Sequence, residues 1–168
     1  MFNQMPIITL VAEALLFIFP AYCANAVPVL AGGGTPMDFG KNFFDGKRIF
    51  GDHKTFRGFF FGLLVGILVG IVEFLIFDYS TLFIILPPLG ALVGDLLGSF
   101  AKRRIGISPG GLFPIVDQID FVIGALLFSI PLSILTWELA LVVILITPPI
   151  HLLTNYVAFK MRLKKHPW

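Results

Sequence analysis

Three aspartates lie in strongly apolar stretches of this chain, and their chemistry is the most informative feature of the sequence. Asp95 lies within one hydrophobic run, and Asp117 and Asp120 lie at the start of the next. An Asp at the centre of a bilayer costs about 2.5–3.5 kcal/mol on an insertion scale, so its presence indicates a function. Carboxylate oxygens suit a hard divalent cation such as Mg²⁺. We therefore predict that these three residues bind magnesium.

Cations lie close to the same acids in the sequence. The spacing i, i+4, i+7 and i+8 places four residues on one helix face: Asp95, Ser99, Lys102 and Arg103. Asp117 and Asp120 are three residues apart and share a face of the following helix. The alternative to a metal site is a structural salt-bridge network among these same acids and cations.

Two loops rich in glycine and cations flank the acids, at about 32–57 and 102–116. Exposed backbone N–H groups, together with cationic and hydroxyl side chains, are what phosphate binding requires. The first loop is not a Walker A motif, because that motif has a glycine before its lysine and here His53 precedes Lys54. A phosphate-containing substrate bound with Mg²⁺ accounts for the acids, cations and glycines together.

The composition indicates an integral membrane protein. The 168 residues are 57% hydrophobic and 13% charged, whereas a soluble domain has about 25% charged residues. The single cysteine, Cys23, excludes an intramolecular disulfide. The basic residues are spread over three loops and no nucleic-acid-binding motif is present, so we expect no nucleic acid partner.

Five apolar runs have about the 20 residues that a membrane-spanning helix needs. They cover about 6–31, 58–77, 79–101, 117–136 and 139–159. No stretch alternates with the two-residue period of a membrane β-barrel. The first run lacks the basic start of a cleaved signal peptide, so we expect it to be retained. These patterns predict a single all-α domain, 1–168, that is a bundle of five transmembrane helices.

The positions of the basic residues predict how the bundle is oriented. All twelve Lys and Arg residues fall within 41–57, 102–104 and 160–165. Because loops rich in Lys and Arg stay on the cytoplasmic side, we expect the N-terminus outside and the C-terminus in the cytoplasm. The loops 32–57 and 102–116 are then cytoplasmic. This topology predicts a multi-pass protein of the cell membrane whose active site faces the cytoplasm.

Glycine stripes predict which helices pack together. Glycines recur at every fourth residue over 58–70 in the second span and over 90–98 in the third. Such stripes let two helix backbones approach closely in lipid, where packing holds helices together. We therefore expect the second and third spans to pack against each other.

Two other acidic residues are predicted to lie away from the site. Glu73 lies about 15 residues beyond the first cytoplasmic loop, or roughly 22 Å along a helix. Glu13 is similarly close to the outer face. For both, the simplest interpretation is a carboxylate that faces the bundle or reaches the outer interface, and His151 is a weaker candidate for the site itself.

The segment 94–124, GDLLGSFAKRRIGISPGGLFPIVDQIDFVIG, resembles the signature of CTP-dependent membrane cytidylyltransferases, the CDP-diacylglycerol synthase superfamily. Together with the first loop and the five spans, it makes the chain similar to the shorter archaeal branch, the CDP-archaeol synthases, over about 25–160. The chain departs from the bacterial-type motif at Ile105-Gly106, where that motif has Lys-Asp, and at Gln118, where it has Arg. The residues that match are Ser99, Lys102, Arg103, Gly110, Gly111, Asp117 and Asp120.

The resemblance implies a Mg²⁺-dependent enzyme that uses CTP and an isoprenoid ether-lipid phosphate within the bilayer. The reaction would transfer CMP to 2,3-bis-O-geranylgeranyl-sn-glycerol 1-phosphate, giving CDP-archaeol and pyrophosphate. The metal ligands would be Asp95, Asp117 and Asp120, with Lys102 and Arg103 acting beside them in catalysis. The expected nucleotide and phosphate contacts are Asp52, Lys54, Thr55, Arg57, Ser99, Gly110 and Gly111.

Three other functions remain open at this point. An ion or small-solute transporter would use the buried acids, but it needs a polar path across the whole membrane. In a scaffolding bundle the acids would only pair with Lys102 and Arg103. A CDP-alcohol phosphotransferase-like lipid enzyme requires an Asp-Gly-x-x-Ala-Arg stretch that this sequence lacks. Nothing in the sequence indicates the oligomeric state.

Overall fold

Five α-helices form the framework of the computed structural model, which describes residues 6–164. A single 3₁₀ turn, Thr81–Ile84, precedes the third helix, and within 6–164 β pairing is limited to two isolated bridges in the first loop. Lys165, the last residue of the third basic cluster, lies outside the described residues. The helices are α1 Ile7–Ala31, α2 Phe56–Phe77, α3 Leu86–Arg104, α4 Val116–Phe128 and α5 Trp137–Lys160.

Four helical segments in the described part of the chain are long and apolar enough to cross a membrane: α1, α2, α3 with its 3₁₀ turn, and α5. Helix α4 has only 13 residues, or about 20 Å at 1.5 Å per residue. The predicted fourth span, 117–136, is therefore helical over little more than its first half. Pro131 accounts for this difference, because its ring cannot continue a helix and restricts the residue before it.

The second and third helices contact each other, as predicted, because a Cβ on Gly66 of α2 would overlap the side chain of Pro88 in α3. The two glycine stripes themselves, however, pack mainly against other helices. A Cβ on Gly94 of α3 would come within 3.0 Å of the Cα of Gly124 in α4. A Cβ on Gly62 of α2 would come within 2.6 Å of the carbonyl oxygen of Ala24 in α1. Each stripe therefore packs where a neighbouring helix also presents small residues, the condition for close backbone approach in lipid.

The core lies between α1, α4 and α5, with the 3₁₀ turn beside it. Phe17, Phe83 and Val143 are fully buried there. The hydroxyl groups of Tyr22 and Thr147 lie 2.8 Å apart and link α1 to α5. This hydrogen bond satisfies two polar groups that would otherwise be costly in an apolar interior, so the core is held by a specific contact as well as by packing.

Glu73 faces the interior of the bundle. It is 5% exposed, and its Oε2 has no hydrogen-bond partner among the described residues. It lies on the last turns of α2, whereas the cation-rich loop 32–57 leads into the first turn of that helix. Its position along α2 therefore agrees with the prediction that it lies far from the cation-rich end.

Candidate functional site

The first loop, residues 32–55, is organised around the buried carboxylate of Asp38. Its side chain accepts hydrogen bonds from the backbone N–H groups of Gly40, Phe50 and Gly51 and from two nitrogens of Arg48. Burial alone would raise the pKa of Asp38, but these donors hold the pKa well below its usual range. Asp38 therefore stays ionised and gives the glycine-rich loop a defined shape. Sequence reasoning missed it, because no motif marks this residue.

Arg104 fastens the first loop to the end of α3. Its Nη1 donates to Asp45 Oδ1 at 2.8 Å, and its Nη2 donates to the Lys47 carbonyl oxygen at 3.2 Å. The guanidinium group also lies over the rings of Phe43 and Phe100, at 4.9 and 4.7 Å from their centroids. A guanidinium group can pair with carboxylates and stack on aromatic rings at once. Arg104 thus sets the position of the loop relative to the acids on α3.

Arg103, predicted as a catalytic cation, instead connects the two loops. It is 5% exposed. Its Nη2 donates to the Ser108 carbonyl oxygen at 3.1 Å and its Nη1 to the Phe50 carbonyl oxygen at 3.5 Å. Gly51 lies beside it with φ 105, a backbone conformation that favours glycine. Arg103 therefore holds the two loops in position relative to each other, and its role in catalysis stays a prediction.

The three predicted metal-binding aspartates converge at the end of the bundle where both loops lie. Lys54 Nζ donates to Asp95 Oδ2 at 2.5 Å, and Lys102 Nζ lies 2.8 Å from Asp117 Oδ1. The charges of Asp95 and Asp117 both act on Asp120. The structure thus places the three carboxylates at one end of the bundle, together with Lys54, a predicted phosphate contact, and Lys102, a predicted catalytic residue.

Glycine makes this convergence possible. Gly98 lies on the face of α3 that contacts α4, and a Cβ there would overlap the carboxylate of Asp120. The missing side chain leaves room for Asp120 between the two helices. The same stripe that packs α3 against α4 therefore also positions an acid of the site.

The carboxylate oxygens are of the type that magnesium binds, but the three acids are not arranged as a preformed metal site. Among residues 6–164 no three Asp, Glu, His or Cys side chains are close enough together to hold a metal ion. Asp95 and Asp117 instead pair with lysines, yet Asp117 Oδ1 is buried without an aligned hydrogen-bond donor. Magnesium binding by these three acids would require the lysines to move away from them, and it stays a prediction.

The other residues predicted to contact the nucleotide or its phosphates differ in their burial. Thr55 is buried and caps α2, its hydroxyl oxygen accepting a hydrogen bond from the Gly58 N–H at 3.1 Å. Asp52 is exposed and pairs with Arg48 at 2.7 Å. Ser99 is buried on α3, while Arg57, Gly110 and Gly111 lie at or near the surface of the same end.

A narrow pocket lies between the first loop and the ends of α1, α2 and α3. The Lys54–Asp95 pair lies in its wall, so a ligand in the pocket would meet both a cation and a carboxylate. His53 and Thr55 add polar groups to the wall, and the remaining lining is mostly apolar. The lining includes Lys54, Thr55 and Asp95 on the polar side, and Pro28, Phe59 and Leu92 on the apolar side.

Comparison with known proteins identifies relatives over nearly the whole chain. Residues 7–168 match the model of a family described as CarS-like, CDP-archaeol synthase. A CDP-archaeol synthase of Pyrococcus furiosus is 49% identical over 166 residues, covering 94% of this chain and 98% of the relative. One from Methanococcus aeolicus is 42% identical over an alignment of 179 residues, covering 98% and 100% respectively. The resemblance found in the sequence is thereby confirmed.

A solved structure supports the same conclusion about the fold. This chain is similar to an intramembrane enzyme for archaeal membrane lipids biosynthesis, with a TM-score of 0.79 and 40% sequence identity. The match covers 86% of this chain and 94% of that chain. The prediction of an all-helical membrane protein is therefore confirmed.

Proposed function

Because the chain belongs to the CDP-archaeol synthase family, we propose that it transfers CMP from CTP to 2,3-bis-O-geranylgeranyl-sn-glycerol 1-phosphate, giving CDP-archaeol and pyrophosphate. It is a nucleotidyltransferase of archaeal membrane phospholipid biosynthesis. The observation that carries the proposal is the convergence of three carboxylates with Lys54 and Lys102 beside two structured loops. This end of the bundle combines cations for phosphates with apolar walls for a lipid.

The chemical step needs no general base from the protein. A phosphate monoester has a second pKa near 6, so the lipid phosphate is already anionic at neutral pH. One of its oxygens attacks the α-phosphorus of CTP, a new P–O bond forms, and the bond to the β-phosphate oxygen breaks. The leaving group is pyrophosphate. Catalysis is then mostly orientation of the two substrates and neutralisation of their charge.

Lys54 and Lys102 are the cations best placed to bind the phosphates. Each is already held near a carboxylate, at 2.5 Å from Asp95 and 2.8 Å from Asp117. When a phosphate binds, each lysine would exchange its carboxylate partner for a phosphate oxygen. The ammonium groups would therefore be paired with an anion both before and after binding. Asp95, Asp117 and Asp120 would hold Mg²⁺, which would supply further neutralisation of phosphate oxygens.

The direct test is incorporation of labelled CTP into lipid by the purified protein. Ether-lipid and ester-lipid phosphates are offered as acceptors, each with and without Mg²⁺. We expect incorporation into the ether lipid only when Mg²⁺ is present. Absence of CTP-dependent incorporation under all conditions, combined with uptake of a solute into liposomes, would instead favour a transporter.

The orientation in the membrane is part of the proposal. We propose that α4 together with residues 129–136 forms a fifth crossing, with the N-terminus outside, the C-terminus cytoplasmic and the active site facing the cytoplasm. The fastening of the first loop to the end of α3 supports this, because it places both basic loops at one end.

Cysteine labelling tests this orientation. In a Cys23→Ser background, which removes the single cysteine, we expect Ser133→Cys to react with a membrane-impermeant maleimide from outside the cell. Ser108→Cys, in the second loop, should react only after the membrane is opened. Labelling of both from the same side would exclude a fifth crossing between them.

Glu73→Gln is expected to leave turnover within about 3-fold of the wild type, the effect of a change remote from the site. Glu73 is buried near the end of α2 that lies away from the loops. The substitution keeps the shape of the side chain and removes its charge. Turnover is measured with labelled CTP, and folding by thermal melting in detergent. A well-folded but inactive variant would contradict the placement of the active site at the loop end.

A further inference from the structure

The chain reverses direction after α5 and carries Lys164 back alongside that helix. Arg162 has a left-handed backbone with φ 62. The N–H groups of Leu163 and Lys164 both donate to the carbonyl oxygen of Ala158, at 2.9 and 3.4 Å. Such a turn satisfies a carbonyl that the helix end leaves open. It also makes Lys164 half-buried, although it lies four residues beyond the last residue of the helix, Lys160.

Two polar residues of α5 hold the ammonium group of Lys164 in place. Its Nζ donates to Asn155 Oδ1 at 3.0 Å, and Asn155 is 9% exposed. Asn155 Nδ2 in turn lies 3.2 Å from His151 Nδ1. The His151 ring packs against Phe121, with the centroids 5.8 Å apart, and Phe121 directly follows Asp120. These contacts connect Lys164 to the acid-bearing start of α4.

Lys164 shares the electrostatic environment of the candidate site. The charges of Lys54, Asp117, Asp95 and Lys102 all act on it. Burial, followed by the nearby charge of Lys54, lowers the pKa of Lys164. Lys54 and Lys102 have carboxylate partners, but the hydrogen-bond partner of Lys164 is a neutral amide oxygen. A partly buried cation beside other cations is costly unless an anion compensates it.

We propose that Lys164 is a third phosphate-binding lysine of this site, with Asn155 as its positioning residue. The ligand is a phosphate oxygen, which CTP, the lipid phosphate and the product pyrophosphate all offer. The inference rests on the proposed function, since the reaction is what brings phosphates to this end of the bundle. Lys164 would then complete the site from the part of the chain that follows the last helix.

The test compares the steady-state kinetics of Lys164→Ala, Lys164→Gln and Lys164→Arg with those of the wild type. We expect the KM for CTP or for the lipid phosphate to rise about 10-fold in Lys164→Ala, the loss of one charge-assisted hydrogen bond. Lys164→Gln keeps a donor for Asn155 without the charge, so it should behave like Lys164→Ala, while Lys164→Arg should recover part of the loss. A rise in the KM for CTP alone, or for the lipid alone, identifies the phosphate. Weaker inhibition by pyrophosphate in Lys164→Ala than in the wild type would show that Lys164 binds the product.

The matched control is Lys160→Ala. Lys160 lies over the Tyr156 ring at 5.5 Å from its centroid and is exposed, so we expect its kinetics to match the wild type. Asn155→Leu should raise the same KM as Lys164→Ala but add no further effect in the double variant, the behaviour of coupled residues. If neither KM nor the inhibition constant of pyrophosphate changes by about 3-fold in Lys164→Ala, the inference is overturned while the proposed function stands. An inactive wild type would instead refute the proposed function.

Discussion

Asp117→Asn is expected to lower kcat at least about 100-fold while the helices stay folded, a loss typical of removing one electrostatic contact of a transition state. The substitution preserves size and removes a charge that lies 2.8 Å from Lys102 and acts on Asp120. Asp117 Oδ1 is buried and forms an ion pair with Lys102 without an aligned hydrogen bond. Asp120→Asn should have a similar effect. The rates are measured with labelled CTP and lipid phosphate, and folding by thermal melting.

Asp78→Asn is the matched control for this substitution. Asp78 ends α2 in a left-handed conformation with φ 54, away from the two loops, and Asn tolerates that conformation as well as Asp does. Its rate should therefore stay within about 2-fold of the wild type. A folded Asp117→Asn variant with nearly normal kcat would show that Asp117 is not part of the reaction site.

Gly98→Ala is the second substitution for which we expect a large effect, a fall in turnover of about 100-fold. The added Cβ would overlap the carboxylate of Asp120, so α3 and α4 must separate or Asp120 must move. Either change shifts Asp95 relative to the acids of α4. A misplacement of about 1 Å is enough to cost about 100-fold in rate. Turnover and melting temperature are measured together, because the substitution also disturbs the close packing of α3 against α4 and can lower stability.

Ala101→Ser provides the comparison on the same helix. Ala101 is exposed, so the added oxygen meets no neighbouring helix, and we expect both turnover and melting temperature to stay close to the wild type. Should Gly98→Ala turn over CTP as fast as Ala101→Ser, the close contact between Gly98 and Asp120 would have no importance for the site.

Local sequence patterns predicted the helices and the location of the three acids at one end of the bundle. Apolar runs of sufficient length identify α1, α2, α3 and α5 directly. The spacing of Asp95 and Lys102, and of Asp117 and Asp120, defines two helix faces that the structure places at the same end. The end of α4 at Phe128 could have been predicted too, because Pro131 is a local signal for the end of a helix.

Contacts between distant parts of the chain could not be predicted from the sequence. The glycine stripes show that a helix approaches another closely, but not which one, and the partners depend on Ala24 and Gly124 in other helices. The roles of Asp38 and Arg103 arise from carbonyl and N–H groups of a folded loop. Lys164 reaches the site only through the turn that follows α5. No single-residue pattern encodes these arrangements.

The most direct measurement of the central claim is the fate of each phosphorus of CTP. The purified protein in lipid nanodiscs receives the ether-lipid phosphate and CTP labelled at either its α- or its γ-phosphorus. We predict that α-label appears in the lipid and γ-label appears only in pyrophosphate, and that both products are lost in Asp117→Asn. Transfer of γ-label to the lipid, or no labelled lipid from the folded wild type, would contradict CMP transfer at this site.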